Sequence, residues 1–161
     1  VKKELAVLAS AARDRALRAI ELFAASVRRY RPYDPRRRYT PKQLEPYDAL
    51  ADRYVRAVEA AIRFFRAHER HEFGEASDTL RDLLNRMEKL GLVSSVQLWI
   101  EMRDQRNRIV HEYLPEELQR IYAELTGRMG SELFTTRDAA AKIRFVTPPA
   151  RRRRKARLSG R

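Results

Sequence analysis

Residues 2–29 read KKELAVLASAARDRALRAIELFAASVRR, and their periodicity sets the architecture. Leu5, Leu8, Ala12, Ala16, Ile20, Phe23, Val27 and Tyr30 recur at three- and four-residue steps, the signature of one apolar stripe along a helix. The same pattern continues down the chain. Thr40 stands as an N-cap with Pro41 in the first turn, ahead of a stripe of Leu44, Tyr47, Ala51, Tyr54, Val58, Ala61, Ile62 and Phe65 that predicts a second helix to about Glu69. Ser77 is read as the cap of a third, bearing Leu80, Leu83, Leu84, Met87 and Leu90 and closed by Gly91. Ser94 or Ser95 opens a fourth, SVQLWIEMRDQRNRIVHEY over 95–113, which Pro115 ends. A fifth starts at Pro115, carries Leu118, Ile121, Tyr122, Leu125, Met129 and Leu133, and runs to about Phe145 with a break expected near Gly127 or Gly130. Short connections make neighbouring helices antiparallel, so the chain is expected to be all-α, an up-and-down bundle of four to five helices.

The 161 residues fit one domain, and 43% hydrophobic content is enough for one core. Five Gly and seven Pro supply little turn chemistry for a many-stranded β fold. No apolar run approaches the length of a membrane span and no signal peptide opens the chain, so a cytoplasmic, non-membrane protein is expected. The absence of Cys excludes disulfides, thiol nucleophiles and zinc–thiolate sites.

The net charge is +13, from 35 Lys and Arg against 22 Asp and Glu, which makes nucleic acid the first partner to consider. Seven of those charges lie in TPPARRRRKARLSGR, residues 147–161, which contains no acid. This segment is expected to be a disordered tail beyond a single domain of residues 1–146. It reads as a sequence-blind phosphate-binding arm or simply as a solvated end. A second cluster, RRYRPYDPRRRY, sets Arg28, Arg29, Arg31, Arg36, Arg37 and Arg38 among Tyr30, Tyr33 and Tyr39 in a linker containing Pro32 and Pro35. Arginine beside aromatic rings suits single-stranded RNA, holding phosphate and stacking on bases. The alternative is a helix C-terminus with dipole-favoured cations entering a loop.

The fourth helix departs from the pattern. At about 100° per residue, with Trp99 at the centre of the buried face, Val110 falls close to it and Met102, Ile109 and Tyr113 to one side. Arg106 falls inside that apolar arc and Arg103 lies beside Val110. A guanidinium buried there without a partner is costly. It either snorkels to a carboxylate, such as Asp104 or an acid on another helix, or faces a ligand. Asn107 and His111 lie one turn apart on a neighbouring stripe. His68 and His71, in HERHEFGE with Glu69 and Glu72 adjacent, have a spacing able to ligate a divalent ion, but two His beside a loop define no geometry, and no metal or cofactor is expected. No P-loop, dinucleotide glycine motif or Ser/His/Asp order is present.

The stretch WIEMRDQRNRIVHEY, 99–113, resembles the signature of the HEPN superfamily of helical ribonuclease domains: Arg, a polar residue, three variable residues, then His, here Arg106, Asn107 and His111. The extension to Tyr113 resembles the HepT-like branch, toxins paired with a minimal nucleotidyltransferase antitoxin. The Trp99–Met102 lead-in resembles a related branch of nucleotidyltransferase substrate-binding subunits. The basic tail is no part of the pattern. The resemblance implies a metal-independent endoribonuclease, acting as a homodimer whose motif helices form one composite cleft. Arg106 would hold the scissile phosphate, and His111 would exchange a proton with the ribose 2′-OH or the leaving 5′-oxygen. Asn107 would orient His111 or the phosphate by hydrogen bonding, and the products would carry 2′,3′-cyclic phosphate. Arg103 and the Arg-rich linker would add RNA contacts. The resemblance further implies that the antitoxin, using ATP and magnesium, transfers AMP to Tyr113, whose new negative charge would repel RNA. Two other readings stay open: a non-catalytic nucleotidyltransferase-binding subunit, and a basic RNA-binding scaffold with no partner enzyme.

Overall fold

The computed structural model describes residues 1–146, and the expectation for the basic tail lies outside them. The described residues form an all-α bundle without strands: α1 (Lys2–Arg28), α2 (Pro41–Phe73), α3 (Leu80–Lys89), α4 (Val96–Ile109), α5 (Pro115–Thr126) and α6 (Arg128–Ala141). The last two are the expected fifth helix, broken at Gly127. A Cβ there would stand 2.8 Å from the Ala123 carbonyl oxygen, and one at Gly130 would stand 2.5 Å from that of Leu125. Both distances are too short for any side chain, so the break needs glycine at both positions.

The long hairpin of α1 and α2 is the frame. Phe23 packs on Tyr54 and the Ser26 hydroxyl accepts from Arg53, an antiparallel register. α6 lies antiparallel on α1, with Phe23 against Phe134 and Arg137 paired to Glu21. Ile20, Phe23, Leu50, Tyr54, Phe64, Phe65, Leu83, Leu84, Met87, Trp99, Met102 and Leu125 are fully buried, each contributing about 1.5–3 kcal/mol by removal from water. Leu8, expected on the buried stripe of α1, is instead 61% exposed, while Ala6 and Ala9 are buried. No helix among the described residues is long and apolar enough to cross a membrane.

The ends of the helices refine the expected boundaries. Thr40 caps α2 through a reciprocal pair, its hydroxyl accepting from the Gln43 N–H and the Gln43 side chain accepting from the Thr40 N–H, a device worth about 1 kcal/mol. α2 continues past Glu69 because its stop is Gly74, in the left-handed conformation at φ +71°. Thr79, not Ser77, caps α3. Ser77 is already engaged, its N–H and hydroxyl both donating to the buried Glu69 carboxylate, which also accepts from Arg86 at 3.0 Å.

A second buried carboxylate anchors α4. Glu132 of α6 accepts from the Trp99 indole N–H at 2.8 Å, from the Ser94 N–H at 2.9 Å, and from the Ser94 hydroxyl. Tyr54 adds a buried bond to the Met102 carbonyl at 2.8 Å. α4 therefore meets α6 and α2 in a defined rotation, with Trp99, Met102, Gln105 and Ile109 inward. That face is turned from the Trp99-centred arc expected, and Val110 is 60% exposed.

Candidate functional site

α4 ends at Ile109, not at Tyr113. Pro115 disfavours helical backbone at Leu114, which is extended at ψ 123°. The Glu112 carboxylate accepts from the N–H groups of Tyr113 and Leu114, both at 3.0 Å. The sequence motif thus straddles a helix end. Arg106 and Asn107 lie in the last turn of α4, and His111 follows it in a turn closed by its own N–H on the Arg108 carbonyl.

Arg106, Asn107 and His111 line one open groove of about 360 Å³, together with Val110 and with Val55 and Glu59 of α2. The Arg106 side chain is 33% exposed, at the rim of the buried face. It donates to Glu59 at 2.8 Å and to the Asn107 amide oxygen at 3.2 Å. This is the snorkel to an acid on another helix that the sequence left open. A half-exposed ion pair of this kind is worth about 0–1 kcal/mol, so an incoming phosphate can compete with Glu59 for the guanidinium. Among the described residues no hydrogen bond joins His111 to Asn107 or Arg106. Tyr113 is 82% exposed. Arg103 lies one turn before Asn107 on the same side of α4 and leans on Asp104 at 3.7 Å, outside the groove lining.

Nothing in the sequence singles out Glu59 as the partner of Arg106. Its spacing on α2 carries no mark of the packing partner 47 positions further along.

Arg28, Arg29, Arg31, Arg36, Arg37 and Arg38 are all exposed. The tyrosines between them are not displayed in a row but gathered. Tyr33 stacks on Tyr39 at 5.0 Å and meets Tyr47 and Tyr122 edge-on at 5.2 and 5.4 Å. Tyr47 donates to the Arg31 carbonyl. Burial, followed by the hydrogen bond and charge of Tyr39, pushes the Tyr47 phenol up to about 12.

One group of potential metal ligands stands out among the described residues. His68, His71 and Glu72 bring one donor atom each to within 4.8 Å of the others, so of the two acids adjacent in the sequence Glu72 joins the pair of His, while Glu69 is bonded to Ser77 and Arg86. Phe145 meets both imidazoles edge-on at 5.6 and 5.2 Å, and Arg13 lies over its ring. His68 is buried with Nδ1 unpartnered. Burial pulls its imidazole below the ordinary 6.5, partly offset by Glu72. The unfolded chain takes up this proton near 6.5 and the folded chain only at lower pH. The His68 contribution is therefore complete above 6.5 and is lost as pH falls through the folded value. Urea midpoints at pH 7.5 and 5.5 should show wild type losing more stability on acidification than His68→Leu, by up to about 1.4 kcal/mol per pH unit. Parallel losses in the two proteins would refute this.

Comparison with known protein families, with curated proteins and with solved structures finds no match for this chain.

Proposed function

We propose that this all-α chain is a metal-independent endoribonuclease of the HEPN type, the HepT-like toxin of a toxin–antitoxin pair, working in the cytoplasm as a homodimer. The observation that supports the reading is the joint placement of Arg106, Asn107 and His111 on one open groove. In this mechanism Arg106 exchanges Glu59 for the scissile phosphate and stabilises the charge that grows on it. His111 takes the proton of the ribose 2′-OH, or delivers one to the leaving 5′-oxygen. The 2′-O–P bond forms as the P–O5′ bond breaks, giving a 2′,3′-cyclic phosphate and a 5′-hydroxyl. Asn107 orients Arg106 through the hydrogen bond already present.

Val110 of the groove lining and Tyr113 and Leu114, which follow His111 in the chain, are all exposed and suit cover by a second subunit. The reach of Tyr113 into solvent also supports AMP transfer to its hydroxyl by a nucleotidyltransferase antitoxin. The pairing of Arg106 with Glu59, and the lack of a bond from Asn107 to His111, favour one other reading, a non-catalytic subunit that binds a nucleotidyltransferase.

Incubation with single-stranded RNA in EDTA decides between them. Cyclic-phosphate ends on RNA, with DNA of the same sequence uncut, are expected from the nuclease; intact RNA would sink it. With ATP, magnesium and the antitoxin, one AMP should add to the wild-type chain and none to Tyr113→Phe. Equal labelling of both proteins would move the modification elsewhere.

A further inference from the structure

Among the described residues, a concentration of unpaired positive charge lies away from the motif groove. At the turn end of the α1–α2 hairpin, the linker bounds a cleft of about 320 Å³. Its walls include the rings of Tyr30, Tyr39 and Tyr47, and its rim carries Arg29, Arg31 and Arg37. No carboxylate lines it. Among the described residues these three guanidinium groups form no ion pair and no side-chain hydrogen bond.

A second cleft, about 500 Å³ between α4 and α5, makes the contrast. It holds Arg108, Arg120 and Arg128 but also Glu101, Glu117 and Glu124, and these charges pair with one another. It neutralises itself. The hairpin cleft keeps three cations for a ligand.

The walls are also chemically specific. Tyr39 is stacked on Tyr33 on one side and has the Arg37 guanidinium at 5.0 Å over its ring, so the ring backs Arg37, whose outer side is left for a base. Gln43 uses its carbonyl oxygen on the Thr40 N–H, which leaves its NH₂ to donate. Ser26 accepts from Arg53 and keeps its own O–H. The cleft thus offers aromatic faces, neutral donors and guanidinium groups in a volume at the small end of ligand sites.

We infer that this cleft binds one nucleotide, its base against the tyrosine and Arg37 walls and its phosphate held by Arg29 and Arg31. The inference goes beyond the ribonuclease reading and does not rest on it, since the cleft would hold its ligand whether or not the motif groove cuts RNA. The nucleotide is either a unit of single-stranded RNA or a free mononucleotide, and the same chemistry serves both. On α2, Pro46 of the cleft and Glu59 of the motif groove are 13 residues apart, about 20 Å along the helix.

The test uses the full chain and ligands that cannot be cut: a fluorescent 2′-O-methylated pentanucleotide, followed by anisotropy, and AMP as competitor. Arg29→Gln/Arg31→Gln/Arg37→Gln should weaken oligonucleotide binding about tenfold or more. Arg18→Gln/Arg70→Gln/Arg81→Gln removes the same charge from exposed sites outside the cleft and should cost about threefold or less. Tyr39→Leu keeps every charge and should still weaken binding several-fold, because the ring that backs the Arg37 guanidinium is lost. Circular dichroism checks that each variant is folded, and Tyr39→Phe, which keeps the ring, should bind as wild type. Displacement by AMP identifies a free nucleotide as sufficient; no displacement with the same variant profile identifies an RNA segment. Equal losses in the two triple variants, an unaffected Tyr39→Leu, or no binding of either ligand would overturn the inference.

Discussion

His111→Ala is expected to abolish RNA cleavage and leave the fold intact. The side chain is exposed in the turn after α4 and makes no hydrogen bond among the described residues, so its truncation should change stability by no more than about 0.5 kcal/mol. Loss of a positioned proton donor or acceptor, by contrast, costs about 10²- to 10⁴-fold in rate. The two effects separate cleanly. Single-turnover cleavage of a short RNA, compared with the urea midpoint of the same preparation, reads both. Cleavage retained within about threefold of wild type would remove His111 from the chemistry and shift the balance to the non-catalytic subunit. Lost cleavage with a lowered midpoint would place the residue in the fold instead.

The largest effect on stability is expected at Glu132. Its carboxylate is buried and receives three donors, the Trp99 indole N–H and the backbone and side chain of Ser94. Glu132→Ala leaves these donors without a partner and opens a cavity beside a fully buried tryptophan, a loss of about 3 kcal/mol or more. That is a large share of the roughly 5–15 kcal/mol that holds a domain of this size. Ser94→Ala removes one donor and keeps the carboxylate satisfied by two, so it should cost about 1 kcal/mol. Urea unfolding of the three proteins checks the order, and a Glu132→Ala loss below about 1 kcal/mol would show that the anchor is dispensable. The anchor also bears on the candidate site. Glu132 holds the start of α4, Tyr54 its middle and Glu59 its end, so the direction in which Arg106 points depends on bonds to α2 and α6.

Local signals were legible wherever the physics is local. The stripe of α1, the Thr40–Pro41–Gln43 start of α2, the turn at Gly91 and the interruption of the fifth helix at Gly127 all follow from residues within a few positions of each other. Capping, proline geometry and the freedom of glycine act over that range. The motif Arg106, Asn107, His111 was readable for the same reason, since six consecutive residues stay together in any fold.

Rotation and pairing are another matter. A 100° period gives the width of an apolar stripe, but its centre is set by which helices cover it. Leu8 is therefore exposed, and the inward face of α4 turns to Met102, Gln105 and Ile109 while Arg106 moves to the rim. Ser77 was misread as a cap because its true partner, Glu69, belongs to the preceding helix. Glu59 and Glu132 look like ordinary surface acids until α2 and α6 place them against Arg106 and Trp99. The tyrosines of the linker show the same limit: the string identifies them as neighbours of arginine, and only the closing of the α1–α2 hairpin turns them into the wall of a cleft. Helix class, ends and motif content come from contacts along the chain. The orientation of α4, the partner of Arg106 and the charge-rich cleft come from contacts between segments tens of residues apart, which no local pattern encodes.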